Sequence, residues 1–131
     1  MKKLSEGLKI DQALGPVDIS TAKTSGWFPM ANYRSALAVV TSDTVAQTKN
    51  VTVQIMQAKD ASGTGSKALS AVVTKVAPTG GAKLTASVDA TANLEKGFTH
   101  IAVRVTSDAG ATLNAAAILI RGDGRFGNSM P

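Results

Sequence analysis

Hydrophobic and polar positions alternate with a period of two along most of this chain, which is the pattern of half-buried β-strands. The alternation is clearest over residues 83–90, where apolar side chains share one face and polar side chains the other. Two further strands are predicted over residues 51–58 and 98–106. The side chains expected to point inward in these three strands are Leu84, Ala86, Val88 and Ala90, then Val51, Val53 and Ile55, then Ile101, Val103 and Val105.

Two other segments, residues 36–40 and 115–120, have no polar face at all. A strand with this composition is covered on both sides. The second cover is either another layer of the same domain or another protein chain, and the pattern leaves both open. Residues 68–76 predict a less regular strand, and residues 93–96 allow one helical turn at most.

The connecting segments carry turn residues. Residues 77–81 and 107–110 are short and contain Gly, and they predict hairpins between consecutive strands. Residues 61–66 predict a flexible loop. Short strands without helical crossovers predict an all-β, antiparallel sandwich or barrel.

The two ends of the chain differ from its middle. Residues 1–25 scatter apolar positions among charges, with a Gly15-Pro16 break, and residues 122–131 are rich in Gly. We therefore expect an N-terminal arm and lead-in segment over 1–25, a β-sandwich domain over 26–121, and a C-terminal tail over 122–131. Arms of this kind are mobile until they find a partner.

Composition narrows the class of protein. The chain has 131 residues, a single-domain length, and its core must be built from aliphatic side chains because aromatic residues make up only 4% of it. Its net charge is +5, but beyond Lys2 and Lys3 the cations are spaced singly, which predicts no nucleic-acid partner. Neither a signal peptide nor a membrane-spanning stretch is recognisable, so we expect no membrane partner.

The sequence offers little for catalysis. His100 is the single histidine, cysteine is absent, and most carboxylates stand at turns. These features predict a protein that is not an enzyme and holds no metal or cofactor. Arg121-Gly122-Asp123 spells an integrin-binding tripeptide, which we attribute to chance at the end of a strand.

Three of the five aromatic residues, Trp27, Phe28 and Tyr33, fall within seven positions. Three interpretations stay open. The rings plug one end of the sandwich, they form an interface with another protein, or they form a platform on which a sugar stacks.

The order of several short motifs resembles that of small virion proteins encoded by tailed bacteriophages and prophages. The resemblance covers residues 16–121 and rests on strand patterns and turn residues. It is carried by Gly26-Trp27, by Tyr33-Arg34-Ser35-Ala36 before an apolar strand, by Val51 to Asp60 with the Gly/Ser loop and Lys67-Ala68-Leu69 after it, and by Phe98, Ile101, Val103 and Val105.

This resemblance implies a jelly-roll-like β-sandwich that decorates a phage head. Such a cement protein is made in the host cytoplasm, binds the outside of the capsid as a homodimer or homotrimer, and bridges subunits of the major capsid protein. No catalytic residues are implied. The side chains expected at interfaces are Leu4, Leu8, Ile10, Trp27, Phe28, Tyr33, Arg125 and Phe126.

Two alternatives come from other classes of protein. A carbohydrate- or receptor-binding module of a phage tail or fibre would use Trp27 and Tyr33 as its sugar platform. An enzyme would have to depend on His100, and it is the weakest of the three hypotheses.

Overall fold

The computed structural model describes residues 8–30, 33–91, 94, 96–110 and 112–122. Within these ranges the chain forms ten strands and no helix. In none of them is there a helix of the length and apolarity needed to cross a membrane. The strands are β1 (Leu8–Asp18), β2 (Lys23–Thr24), β3 (Phe28–Pro29), β4 (Ser35–Val45), β5 (Asn50–Ala58), β6 (Lys67–Ala68), β7 (Val73–Val76), β8 (Ala82–Thr91), β9 (His100–Ser107) and β10 (Asn114–Gly122).

The strands form two antiparallel sheets. The front sheet has the order β1-β10-β4-β8, and the back sheet places β9 and β5 at its centre. Strands β2 and β3 pair with one side of β9, while β6 and β7 pair with the far side of β5. The predicted antiparallel β-sandwich is confirmed.

The strand order is that of a jelly roll. Taking β2 with β3, and β6 with β7, as two interrupted strands leaves eight. The front sheet then holds the first, eighth, third and sixth strands, and the back sheet the second, seventh, fourth and fifth. Two interleaved Greek keys produce this arrangement.

The two predicted hairpins are wrong for a topological reason. Residues 77–81 join β7 of the back sheet to β8 of the front sheet, and residues 107–110 join β9 to β10 across the same gap. The local turn chemistry is as expected, since Gly80, Gly81 and Gly110 adopt positive φ. Turn residues determine where the chain reverses but not which sheet receives the next strand.

The core lies between the sheets and is almost entirely aliphatic. The alternating positions predicted to face inward in β5, β8 and β9 are buried wherever the structure describes them. Side chains of β4 and β10 meet them from the front sheet: Ala36, Ala38, Val40, Ala115, Ala117 and Leu119. Small alanines on the front sheet opposite Val and Ile on the back sheet let the layers pack closely without rings.

The strand predicted over residues 68–76 is interrupted. Leu69 and Ser70 both donate their backbone N–H to the carbonyl of Ile55, and the Ser70 hydroxyl accepts the Ile55 N–H at 3.0 Å. The side chain thus replaces a ladder bond. As a result β6 and β7 are separate short strands along one side of β5.

Part of the predicted N-terminal arm is a strand of the sandwich. Residues 8–18 form β1, which pairs with β10 along its whole length. Its register shifts twice, between Gln12 and Leu14 and between Leu14 and Val17. These irregularities break the period of two, so the alternation that identifies a strand is missing from the sequence. Bulges also protect an edge strand from pairing with other chains.

The outer faces of the two sheets differ in chemistry. On the front sheet, β10 and β4 present Ile118, Ile120, Leu37 and Val39, and β1 adds Ile10, which is 55% exposed. The central strands of the back sheet present mainly polar side chains instead, among them Thr52, Gln54, Arg104 and Thr106. The two segments without a polar face are thus covered on one side by the back sheet. Within the described chain, nothing covers the other.

Asp18 forms hydrogen bonds that join two segments at the end of the sandwich where β1 leads into β2. Its carboxylate accepts the backbone N–H of Ser20 at 2.9 Å, the backbone N–H of Leu113 at 3.1 Å and the Ser20 hydroxyl at 3.0 Å. These bonds hold the pKa of Asp18 below its usual value of 3.8, with the Ser20 amide as the largest cause. The carboxylate therefore joins the β1–β2 turn to the segment before β10.

Acidification is expected to reduce the contribution of Asp18 to the stability of the fold. Because the pKa of Asp18 is lower in the folded chain than in the unfolded chain, ionised Asp18 stabilises the fold above pH 3.8, and this contribution is lost as the pH falls through the folded-state pKa. Urea denaturation of the parent and of Asp18→Asn from pH 6 to pH 3 measures the effect. The variant should be less stable at pH 6, and the gap between the two proteins should narrow toward pH 3. A constant gap over this range would contradict the assignment.

Candidate functional site

One end of the sandwich collects the aromatic residues of the chain. We call it the aromatic end, defined by Trp27, Phe28, Tyr33 and Phe98 together with the residue that links the sheets there, Arg121. Four of the five rings in the sequence lie in this region, and the fifth, Phe126, is outside the described residues. The remaining loops of the sandwich are built from small and polar residues.

Both ends of the described chain meet here. Leu8, the first described residue, pairs with Gly122, the last one, and Gly122 also pairs with Ser35 at the start of β4. On the back sheet, His100 at the start of β9 pairs with Ala58 and with Pro29. Antiparallel pairing therefore brings the first and last described residues to the aromatic end.

Arg121 fastens the two sheets together at this end. Its side chain points inward from β10 and is 6% exposed. Nη2 donates to the Asp11 carboxylate of β1 at 2.6 Å, and Nη1 donates to the carbonyl of Pro29 in β3 at 2.6 Å. A guanidinium can do this because its donors point in fixed, divergent directions.

Two rings enclose the same guanidinium. The carbon Cζ of Arg121 lies 4.8 Å from the centre of the Tyr33 ring and 5.6 Å from the centre of the Phe28 ring. Both are within the range of a cation–π interaction, which strengthens as water is excluded. Nε of Arg121 is buried and has no hydrogen-bond partner among the described residues. Arg121, the first residue of the Arg-Gly-Asp tripeptide, accordingly belongs to the core.

Trp27 packs against the loop after β5. A methyl group built on Gly63 would lie 2.5 Å from the indole Nε1, so the ring lies directly over this glycine. Gly63 has a φ of +82°, a conformation that other residues rarely adopt. The indole can therefore occupy this position only because residue 63 has no side chain.

This loop, predicted to be flexible, is a hydrogen-bonded turn. Asp60 accepts the backbone N–H groups of Ser62 at 2.9 Å and Thr64 at 3.2 Å, and Lys59 N–H donates to the Thr64 carbonyl at 2.9 Å. The hydroxyl and the amide of Thr64 are the main causes that hold the pKa of Asp60 below 3.8. Trp27 thus rests on a defined surface.

Phe98 forms a second contact point at the aromatic end. The ammonium groups of Lys67 and Lys59 lie 4.9 and 5.8 Å from the centre of its ring. Next to it, the Thr99 hydroxyl and Nδ1 of His100 are hydrogen-bonded at 2.8 Å. The sequence shows these cations as isolated residues, and the fold gathers them beside a ring.

The structure places five of the eight predicted interface residues at this end. Leu8 and Ile10 lie at the start of β1, Trp27 and Phe28 are half-buried, and Tyr33 is only 5% exposed. Tyr33 is therefore a core residue rather than a surface residue, and its ring cannot form a sugar platform with Trp27. Leu4, Arg125 and Phe126 lie outside the described residues.

Neither the role of Arg121 nor that of Gly63 can be identified from the sequence. Nothing near Arg121 in the sequence indicates that it reaches Asp11 and Pro29, because both contacts span more than ninety residues. Gly63 reads as an ordinary loop glycine. Among the described residues there is no group of three or more histidine, aspartate or glutamate side chains arranged to hold a metal ion.

Comparisons with known proteins show likeness in fold alone. No protein-family model matches the sequence, and no curated protein matches it. The SPBc2 prophage-derived protein YomS superposes with a TM-score of 0.57 and 10% identity, over 88% of this chain and 93% of YomS.

Two other solved structures share the fold as part of longer chains. A chain of the Gt strain of infectious bursal disease virus has a TM-score of 0.54 and 12% identity, over 87% of this chain and 31% of the viral one. Dimeric latent PorU from Porphyromonas gingivalis has a TM-score of 0.50 and 10% identity, over 90% of this chain and 12% of its own. The fold thus occurs in prophage, viral and bacterial proteins, and function has to be argued from surfaces.

Proposed function

We propose that this chain is a structural virion protein of a tailed bacteriophage, without enzymatic activity, that binds the outside of the capsid and stabilises it by bridging major capsid protein subunits. The observation that carries the proposal is that the first and last described residues, Leu8 and Gly122, meet half-buried Trp27 and Phe28 at one end of a jelly roll. In this proposal the aromatic end faces the capsid.

The chemistry of the aromatic end suits protein contact. Trp and Phe are enriched at the centres of protein interfaces, because they bury large areas while losing little conformational freedom. Lys59 and Lys67 beside Phe98 add positive charge at the edge of the same surface. Such charges steer a protein toward an acidic partner surface.

The architecture behind this surface supports a clamping role. Arg121 of β10 is hydrogen-bonded to β1 and β3 beside the rings of Phe28 and Tyr33. The aromatic end is therefore linked to both sheets. A capsid repeats the same binding site many times, and bridging two subunits at each site adds a modest stabilisation at every one. The likeness to a prophage-derived protein over nearly the full length of both chains supports a phage origin.

Binding to phage heads that lack this protein tests the proposal. We expect the parent chain to bind such heads at many copies and to raise the temperature at which they release DNA. Trp27→Ala should lower occupancy at least about tenfold at equal concentration, the loss typical of a central interface aromatic residue. Val72→Ala, which removes an apolar side chain that is 53% exposed elsewhere, is the matched control and should bind as the parent does.

Circular dichroism of both variants establishes that they are folded before binding is compared. Heads that neither bind the parent chain nor gain resistance to heat would contradict the proposal. If heads bind Trp27→Ala as well as the parent, the aromatic end is not the contact surface. Binding of the parent to a glycan, lost in Trp27→Ala, would favour the receptor-binding alternative instead.

A further inference from the structure

The outer face of the front sheet is an extended apolar surface that nothing in the described chain covers. Cross-strand pairing arranges its side chains in rows. One row runs Ile10, Ile120, Leu37, Asp89, and the next runs Gln12, Ile118, Val39, Ser87. These side chains belong to the outer face, since their neighbours along each strand point into the core.

The apolar residues are centred on the two inner strands. Ile118 and Ile120 of β10 stand beside Val39 and Leu37 of β4, and they form a square of four aliphatic side chains. The outer strands flank this square mainly with polar groups, such as Gln12 on β1 and Ser87 on β8. An aliphatic centre with a polar rim on a solvent-facing sheet is typical of a protein interface.

We propose that this face is the interface of a homodimer, in which a second copy of the chain packs face to face about a two-fold axis parallel to the strands, between β10 and β4. Such an axis places β10 of one copy over β4 of the other. Ile118 then meets the second Val39, Ile120 meets the second Leu37, and Gln12 meets the second Ser87. A two-fold interface requires self-complementarity. The four aliphatic side chains of β10 and β4 supply it, whereas Asp89 opposite Ile10 at the edge does not.

The direction of the axis also determines the relative orientation of the two copies. Because it runs parallel to the strands, both aromatic ends lie at the same end of the dimer. The following consequence rests on the proposed function. If both aromatic ends face the capsid, one dimer contacts two capsid subunits and thereby bridges them.

The area of the face sets the expected strength. Four strands about 4.8 Å apart, over about seven residues of about 3.3 Å each, cover roughly 450 Å² when taken as flat. Over both copies this is roughly 900 Å², which is at the low end of the area of specific interfaces. We therefore expect a weak dimer that dissociates on dilution.

Sedimentation equilibrium of the purified chain from about 1 µM to 1 mM tests the proposal without any capsid. The parent should be a dimer at the upper concentrations. Ile118→Lys should raise the dissociation constant at least about thirtyfold, because it places a charge at the centre of the interface. Ile118 is 37% exposed, and Val76→Lys, at a 56% exposed position on the back sheet, is the matched control that should dimerise as the parent does.

A substitution at Asp89 is expected to strengthen the dimer rather than weaken it. The two-fold places its exposed carboxylate opposite Ile10 of the other copy, where it loses water without gaining a partner of opposite charge. Asp89→Leu should therefore tighten the dimer at least about threefold. An unchanged or weaker dimer would contradict this placement.

Cross-linking tests the register directly. The chain has no cysteine, and Gln12 and Ser87 are both exposed, so Gln12→Cys and Ser87→Cys each introduce one reactive thiol. The strands that carry them lie three strand spacings apart in one chain, about 14 Å. In the proposed dimer, position 12 faces position 87 of the other copy and lies far from the second position 12. A short bismaleimide should therefore link a mixture of the two single variants into covalent dimers and leave each variant alone unlinked.

Each alternative outcome is decisive. A monomeric parent, a trimer, a dimer unaffected by Ile118→Lys, or a mixture that links no better than the single variants would overturn the proposal. Because these measurements need no heads, a monomer that still binds heads would overturn the dimer alone, and a dimer that binds no heads would overturn only the proposed function.

Discussion

Arg121→Met is expected to lower the free energy of unfolding by about 3 kcal/mol. The substitution keeps the volume of the side chain but removes its charge and both hydrogen bonds, so the Asp11 carboxylate and the Pro29 carbonyl are left partly buried without their donor. Removing one partner of a buried ion pair typically costs about 3–5 kcal/mol, and we take the lower end because the Asp11 side chain is 23% exposed. The effect is measured by urea denaturation.

Arg104→Met is the matched control for this change. Arg104 is an exposed arginine on the outer face of β9, so the same substitution there should change stability by no more than about 0.5 kcal/mol. All proteins are compared at one concentration, because the proposed dimerisation would shift the apparent stability. An Arg121→Met variant as stable as Arg104→Met would show that the guanidinium does not hold the sheets together.

Gly63→Ala is expected to displace the indole of Trp27 and to destabilise the fold by about 2 kcal/mol. About half of this is backbone strain at a φ of +82°, and the rest is packing energy that disappears when the ring moves away from the new methyl group. Trp27 is the single tryptophan of the chain, so its fluorescence emission reports the displacement in the native state.

Gly80→Ala separates strain from packing. Gly80 has a φ of +88°, and a methyl group built on it meets nothing within 4 Å. This control should therefore lose about 1 kcal/mol through strain and leave the tryptophan emission unchanged. In the proposed function, Gly63→Ala also weakens binding to heads without altering any side chain of the contact surface. Equal emission spectra for the two variants would mean that Trp27 does not rest on Gly63.

The regular strands can be predicted from the sequence because each obeys a local rule. The inward positions of β5, β8 and β9 follow from alternation alone, and burial confirms them wherever they are described. The assignment of strands to sheets cannot be predicted in the same way. The segments after β7 and β9 carry ordinary turn glycines, and whether such a turn closes a hairpin or crosses to the other sheet depends on the packing of the whole core.

Strand β1 cannot be predicted from the sequence, for a different physical reason. Its two bulges displace the apolar side chains from strict alternation, so Leu8, Ile10, Leu14 and Val17 have no single period. Only the pairing with β10 makes this segment a strand. The expectation of a domain starting at residue 26 thus underestimates how much of the chain belongs to the sandwich.

The candidate site can be predicted in part. Trp27 and Phe28 stand out because they are adjacent in a chain with few rings, and the fold places both at the aromatic end. The burial of Tyr33 cannot be foreseen, since it depends on Arg121, eighty-eight residues away. The segments without a polar face indicate a second cover, and the structure turns that indication into a defined surface on β10 and β4.

Electron cryo-microscopy of the particle with which this protein copurifies would show whether the protein binds the outside of a phage head. We expect jelly-roll density on the outer surface of the head, repeated across the capsid lattice, with the aromatic end of each copy against the major capsid protein. Density confined to a single vertex, to the tail or to no part of the shell would contradict it.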